Sequence, residues 1–120
     1  RLVVIACPSF PIRSVCRGVA PYLDEDAVLV SVAKGIESGT LLRMSQVVEQ
    51  ETGKPVVVLT GPSHAEEVAL DLPTGCLAAS DRRDLAELLR NIGYGYCHRE
   101  LQKQNNRKAL FGRDVLLYDT

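Results

Sequence analysis

Apolar positions along roughly the first ninety residues change their spacing in a regular rhythm, as expected where strands and helices alternate. Leu2–Cys7 is a short continuous apolar run, the mark of a strand buried on both faces. Ile12, Val15, Cys16, Val19, Ala20 and Leu23 then recur at helical spacing, with Arg13, Ser14 and Arg17 on the opposite face. Pro21 and the acidic turn Asp24–Asp26 close that helix. A second apolar run, Ala27–Ala33, leads into Lys34-Gly35. Thr40–Glu51 is rich in helix formers, with Leu41, Met44 and Val48 as its buried stripe and Gly53 placed to end it. Pro55–Thr60 reads as a third strand. Ser63–Leu70 reads as a helix opened by a capping box, Ser63 with Glu66. Gly75–Ala79 is a weaker fourth strand. A last helix opens at Asp81, shows Leu85, Leu88, Leu89 and Ile92 on one face, and stops at Gly93.

Alternating strands and helices, with strands that do not themselves alternate polar and apolar, predict an α/β fold. The expected architecture is a partial doubly wound parallel sheet with flanking helices, the Rossmann type. The spacing breaks down at Tyr94. Arg99–Lys108 is polar without a usable apolar stripe, and only the brief cluster Val115–Tyr118 follows. Residues 1–93 are therefore expected to belong to one domain. Residues 94–120 are expected to be an atypical tail, either a disordered end or the product of a shifted reading frame.

Composition narrows the function classes. The 120 residues are 46% hydrophobic and 24% charged, which is ordinary for a globular domain. A net charge of −1 and 5% aromatic residues argue against nucleic-acid binding, which calls for a basic face with stacking platforms. No apolar run approaches the roughly 18 residues of a membrane span. The chain begins Arg1-Leu2-Val3-Val4-Ile5 without a start methionine or targeting segment, so it is expected to open inside a strand of a longer protein. Cys7, Cys16, Cys76 and Cys97 lack metal-ligand spacing; the first three read as small buried hydrophobes, consistent with a cytoplasmic location. No metal site is expected.

Ligands of open parallel sheets bind beyond the carboxyl ends of the strands. The residues that follow the apolar runs are Pro8-Ser9, Lys34-Gly35 and Gly61-Pro62-Ser63. Lys34, beside a glycine that leaves room, offers a mobile cation to an anion or carbonyl. An ordinary solvated lysine is the competing reading. Ser63 caps a helix whose first-turn amides attract phosphate or carboxylate, and Gly61 permits close backbone approach. An ordinary capped helix start competes with that reading. Ala65 is small enough to leave space for a flat ring. His64 has no partner in sequence and reads as a bystander, and Glu66 and Glu67 are explained by the helix dipole. No G-x-G-x-x-G occurs, since Gly93-Tyr94-Gly95 follows no strand.

At these positions the chain resembles a known family. Ile5-Ala6-Cys7-Pro8-Ser9, Val30-Ser31-Val32-Ala33-Lys34-Gly35-Ile36-Glu37, Leu59-Thr60-Gly61-Pro62-Ser63-His64-Ala65-Glu66-Glu67-Val68-Ala69 and Leu72-Pro73-Thr74 are similar, in order and spacing, to blocks of the bacterial NAD(P)-dependent glycerol-3-phosphate dehydrogenases. Leu41-Leu42-Arg43-Met44-Ser45 fits between them. The likeness runs from Leu2 to about Ile92. It implies the later part of an NAD(P)-binding domain, and hydride transfer between NAD(P)H and dihydroxyacetone phosphate to give sn-glycerol 3-phosphate for phospholipid synthesis. It further implies that Lys34 touches both the NAD or NADP cofactor and the substrate. By the same likeness Gly61 and Ser63 contact the substrate and Ala65 the cofactor. The family's proton-transferring lysine has no match; Lys103 and Lys108 have the wrong neighbours, and no catalytic residue is assigned.

Two other readings stay open: a related Rossmann dehydrogenase acting on another hydroxy acid, and an inactive α/β fragment serving only as a binding or interaction module. NAD versus NADP preference is undecided, and a homodimeric parent is left open.

Overall fold

The structure, a computed structural model, describes residues 1–61, 66, 69, 70 and 77–92. The chain divides into two units, Arg1–Leu59 and Thr60–Thr120. In the first unit the order is β1 (Leu2–Ile5), α1 (Ile12–Val19), a 3-10 turn (Ala20–Tyr22), β2 (Val28–Ser31), α2 (Met44–Thr52) and β3 (Val56–Thr60), whose last residue begins the second unit. The second unit contributes β4 (Leu77–Ala79) and a helix, α3, over residues 83–92.

β1 pairs with β2 from Leu2↔Val28 to Ile5↔Ser31, and β2 with β3 from Leu29↔Val56 to Ser31↔Val58, both parallel. Parallel pairing requires a crossover between neighbours, and α1 and α2 supply the two crossovers. Their apolar faces close on one side of the sheet. Ile5, Ile12, Cys16, Leu29, Met44, Val47 and Val48 form the buried core, with Val3, Cys7, Leu23, Ala33, Leu42 and Val56 packed against it. Each fully buried aliphatic side chain contributes about 1.5–3 kcal/mol, so this cluster outweighs the local signals at the helix ends.

Those ends explain where the observed elements depart from the expected ones. α1 stops at Val19 because Pro21 tightens the next turn into 3-10 geometry, closed by Leu23 N–H to Ala20 O at 3.3 Å. Val15, expected inside, is exposed. α2 starts at Met44, not Thr40: Arg43 is still extended, and its N–H donates to Gln46 Oε1 at 3.0 Å. Leu41, expected in the buried stripe, lies ahead of the helix, 78% exposed. Its φ of +60° costs a branched L-residue about 1–2 kcal/mol. Val47 takes the buried place instead. β1 is half the expectation: Val3 and Ile5 face the core, but Leu2 and Val4 on the other face are exposed, so the strand is not covered on both sides among the described residues. In α3, Leu85 and Ala86 are buried while Leu88 and Ile92 are exposed. Ser31, the last residue of β2, is buried, and its hydroxyl has no hydrogen-bond partner among the described residues. The expected tail, residues 94–120, lies outside the described residues.

Gly53 ends α2 at φ +63°, with its N–H on Glu49 O at 2.8 Å. Gly53→Ala keeps that bond but forces a Cβ into left-handed backbone, and should destabilise the chain by about 1 kcal/mol in urea unfolding.

Candidate functional site

Because β1, β2 and β3 run the same way, their carboxyl ends leave along one edge of the sheet. Two of the segments selected from the sequence meet there within the first unit. The chain leaves β1 through Ala6-Cys7-Pro8-Ser9 and β2 through Val32-Ala33-Lys34-Gly35. Val32 N–H donates to Ile5 O at 3.2 Å, carrying the β1–β2 alignment one residue past the strand. Gly35 adopts φ +123°, which L side chains rarely take, and the position its Cβ would occupy is 3.5 Å from Ser9 Cβ and 3.6 Å from Ser9 Oγ. The space would tolerate a methyl group; the backbone conformation is what calls for glycine. Lys34 is exposed beside it. Gly61 follows Thr60, the last residue of β3, at φ +152° and half-buried. Ser63 and Ala65 lie outside the described residues, as do Pro62, His64, Glu67, Cys76, Cys97, His98, Lys103 and Lys108.

Burial pushes the Cys16 thiol above its ordinary range, so it stays protonated as a small core residue; Cys7 packs half-buried against the same core. Among the described residues there is no group of three potential metal-ligating His, Cys, Asp or Glu side chains. Among them, too, no helix is long and apolar enough to cross a membrane.

The sequence reading missed a charged cluster joining α1, α2 and the β2–α2 connection. Arg13 Nε and Nη2 grip Glu37 Oε1 and Oε2, each at 2.7 Å, and Thr40 Oγ1 also donates to Glu37 Oε2. Arg13 Nη1 reaches Gln50 Oε1 at 2.9 Å and Glu51 Oε1. Arg17 adds two bonds to Glu51, Nε to Oε2 at 3.0 Å and Nη2 to Oε1 at 3.1 Å. The signal was present in part, since Arg13 and Arg17 stand one helical turn apart on the polar face of α1. Their partners lie 24 to 38 residues away in sequence, beyond the reach of local pattern.

A family model described as the N-terminus of NAD-dependent glycerol-3-phosphate dehydrogenase matches residues 1–86. The chain belongs to this family. The glycerol-3-phosphate dehydrogenase (NAD(P)+) of Clostridium acetobutylicum is 48% identical over 93 residues, which cover 77% of this chain and 28% of that protein. The dehydrogenase of the same name from Clostridium tetani is 52% identical over 82 residues, covering 68% and 24%. Among solved structures, glycerol-3-phosphate dehydrogenase from Coxiella burnetii shares 34% identity with a TM-score of 0.64, over 75% of this chain and 27% of that one. A dehydrogenase structure from Dunaliella salina, at 19% identity and TM-score 0.67 over 74% of this chain and 16% of that one, shares the fold. The chain spans about a quarter of the length of the curated relatives it matches. The resemblance read from the Lys34 and Gly61 blocks is thus borne out at the level of family, and the parallel α/β architecture with it.

The ion cluster has a pH signature. Arg13, and secondarily Thr40, lower the Glu37 carboxyl from its ordinary 4.5 to about 2; Arg17 and then Arg13 lower Glu51 in the same direction. Depressed carboxylates stabilise the folded state above their unfolded pKa, and that contribution fades as pH falls toward the folded value. The urea midpoint should therefore drop between pH 4.5 and about pH 2. In a Glu37→Gln, Glu51→Gln double variant the decline over that window should be visibly shallower.

Proposed function

We propose that these residues form part of an NAD(P)-dependent sn-glycerol-3-phosphate dehydrogenase, which interconverts dihydroxyacetone phosphate and glycerol 3-phosphate for glycerophospholipid synthesis. Family membership across residues 1–86 carries the reading. NAD or NADP, when bound, supplies or accepts the hydride. The carboxyl-end edge of the first unit suits such a group: Gly35 presents bare backbone near Ser9, and Lys34 is exposed next to it. The G-x-G-x-x-G loop that would hold a dinucleotide pyrophosphate is not found in these 120 residues.

In this reading Lys34 contacts both cofactor and substrate. Reducing a ketone places negative charge on its oxygen, and a cation already held nearby stabilises that charge without the reorganisation that water requires. Gly61 and Ser63 contact the substrate. Ala65 lies against the cofactor. No residue of this chain is assigned the proton transfer. The partners are these small molecules and, in the parent, a second copy in a homodimer; the setting is the cytoplasm.

In the complete dehydrogenase carrying these residues, Lys34→Ala should lower the rate on the order of a hundredfold or more, the scale of losing one oxyanion-stabilising donor. The assay follows loss of NADH absorbance with dihydroxyacetone phosphate, and an unchanged rate would remove Lys34 from the mechanism. The 120 residues by themselves should give no ketone-dependent NADH oxidation; steady turnover would show that they suffice.

A further inference from the structure

We infer that Arg13 and Glu37 are positioning residues for Lys34: their ion pair pins the segment after β2 to α1 and so fixes where the ammonium at 34 stands. The inference rests on the proposed function in one respect, that Lys34 serves the bound ligands. The clamp itself is read from geometry.

Ala33 and Leu42 pack against the core at the two ends of the segment, and the exposed span between them meets α1 through charge. At its start, Val32 N–H bonds Ile5 O at 3.2 Å, a backbone tie to β1. At its far end residues 36–43 close on themselves, with Glu37 N–H on Leu42 O at 2.8 Å, Leu41 N–H on Glu37 O at 3.0 Å and a bridge between Ile36 and Arg43. Lys34 and Gly35 link the two. This turn has little apolar grip of its own: Ile36 is 62% exposed and Leu41 78%, and Leu41 holds a left-handed backbone. Leu42, opposite Glu37 in that backbone pairing, packs partly against the core just before α2 begins.

Glu37 is the side chain in the turn that reaches another element through a paired charge. Its side chain is 20% exposed and that of Arg13 26%, so solvent screens the pair less than it would a fully exposed one. Both carboxylate oxygens face the guanidinium fork, an arrangement that sets orientation as well as distance and that a lysine could not reproduce. Arg13 is itself held from behind by Gln50 and Glu51 of α2. The turn is thereby tied to both helices of the unit. Glu37 lies three residues beyond Lys34, with Gly35 between them, so loosening the clamp loosens the lysine. Misplacing a charge-stabilising group by about an ångström costs up to roughly a hundredfold in rate.

The test is a double-mutant cycle in the complete dehydrogenase, read by kcat and by amide hydrogen exchange across residues 35–42. Glu37→Gln and Arg13→Lys should each speed exchange in that stretch and lower kcat on the order of tenfold. In a Lys34→Ala background, Glu37→Gln should lower kcat no further, because the group it positions is gone. Unchanged exchange in Glu37→Gln would overturn the clamp. Equal losses of kcat with and without Lys34 would overturn the positioning role and leave a structural one. A harmless Lys34→Ala would instead overturn the proposed function and this inference with it, whatever the exchange showed.

Discussion

The parallel alignment of β1, β2 and β3 is the constraint from which the other features of the first unit follow. Two parallel neighbours cannot be joined by a tight turn, so the chain must cross back each time, and it does so through α1 and α2. The crossovers supply the apolar stripes that bury one face of the sheet. They also leave the strand ends of this unit on the same edge, so that residues distant in sequence become neighbours: a methyl group at Gly35 would stand 3.5 Å from Ser9 Cβ. The site candidates are a product of strand direction before they are a product of side-chain chemistry.

On top of that frame sits a second level of order, built from charge. α1 carries a polar face with Arg13 and Arg17, and that face is not simply solvated. It meets Glu37 from the β2–α2 connection and Glu51 from α2. The apolar core fixes how the helices lie on the sheet, and the ion cluster fixes how the connection lies on the helices. Hydrophobic burial is non-directional and tolerates small shifts, whereas a bidentate arginine–carboxylate pair specifies an angle.

Much of this was legible in the sequence. Continuous apolar runs located all three strands of the first unit, and helical spacing located both crossovers. What escaped was decided by tertiary contacts or by single backbone angles. Leu41 carries the right chemistry for a buried stripe, but the positive φ takes it off the helix and into solvent. Val4 reads like its neighbours, yet burial depends on what lies against each face, which a run of valines does not reveal. The positions of Lys34 beyond β2 and Gly61 beyond β3 were legible because following a strand is a local property. The grip of Arg13 on Glu37 was not, because it links residues 24 apart whose pairing exists only once the sheet is assembled.

Ser31 marks where the two levels of order meet. Its backbone is paired on both sides, to Ile5 and to Val58, while its buried hydroxyl finds no hydrogen-bond partner among the described residues. The end of β2 is therefore held through its ladder and not through its side chain. Beyond it the connection passes to the grip of a guanidinium, like a guy-rope made fast past the top of a mast.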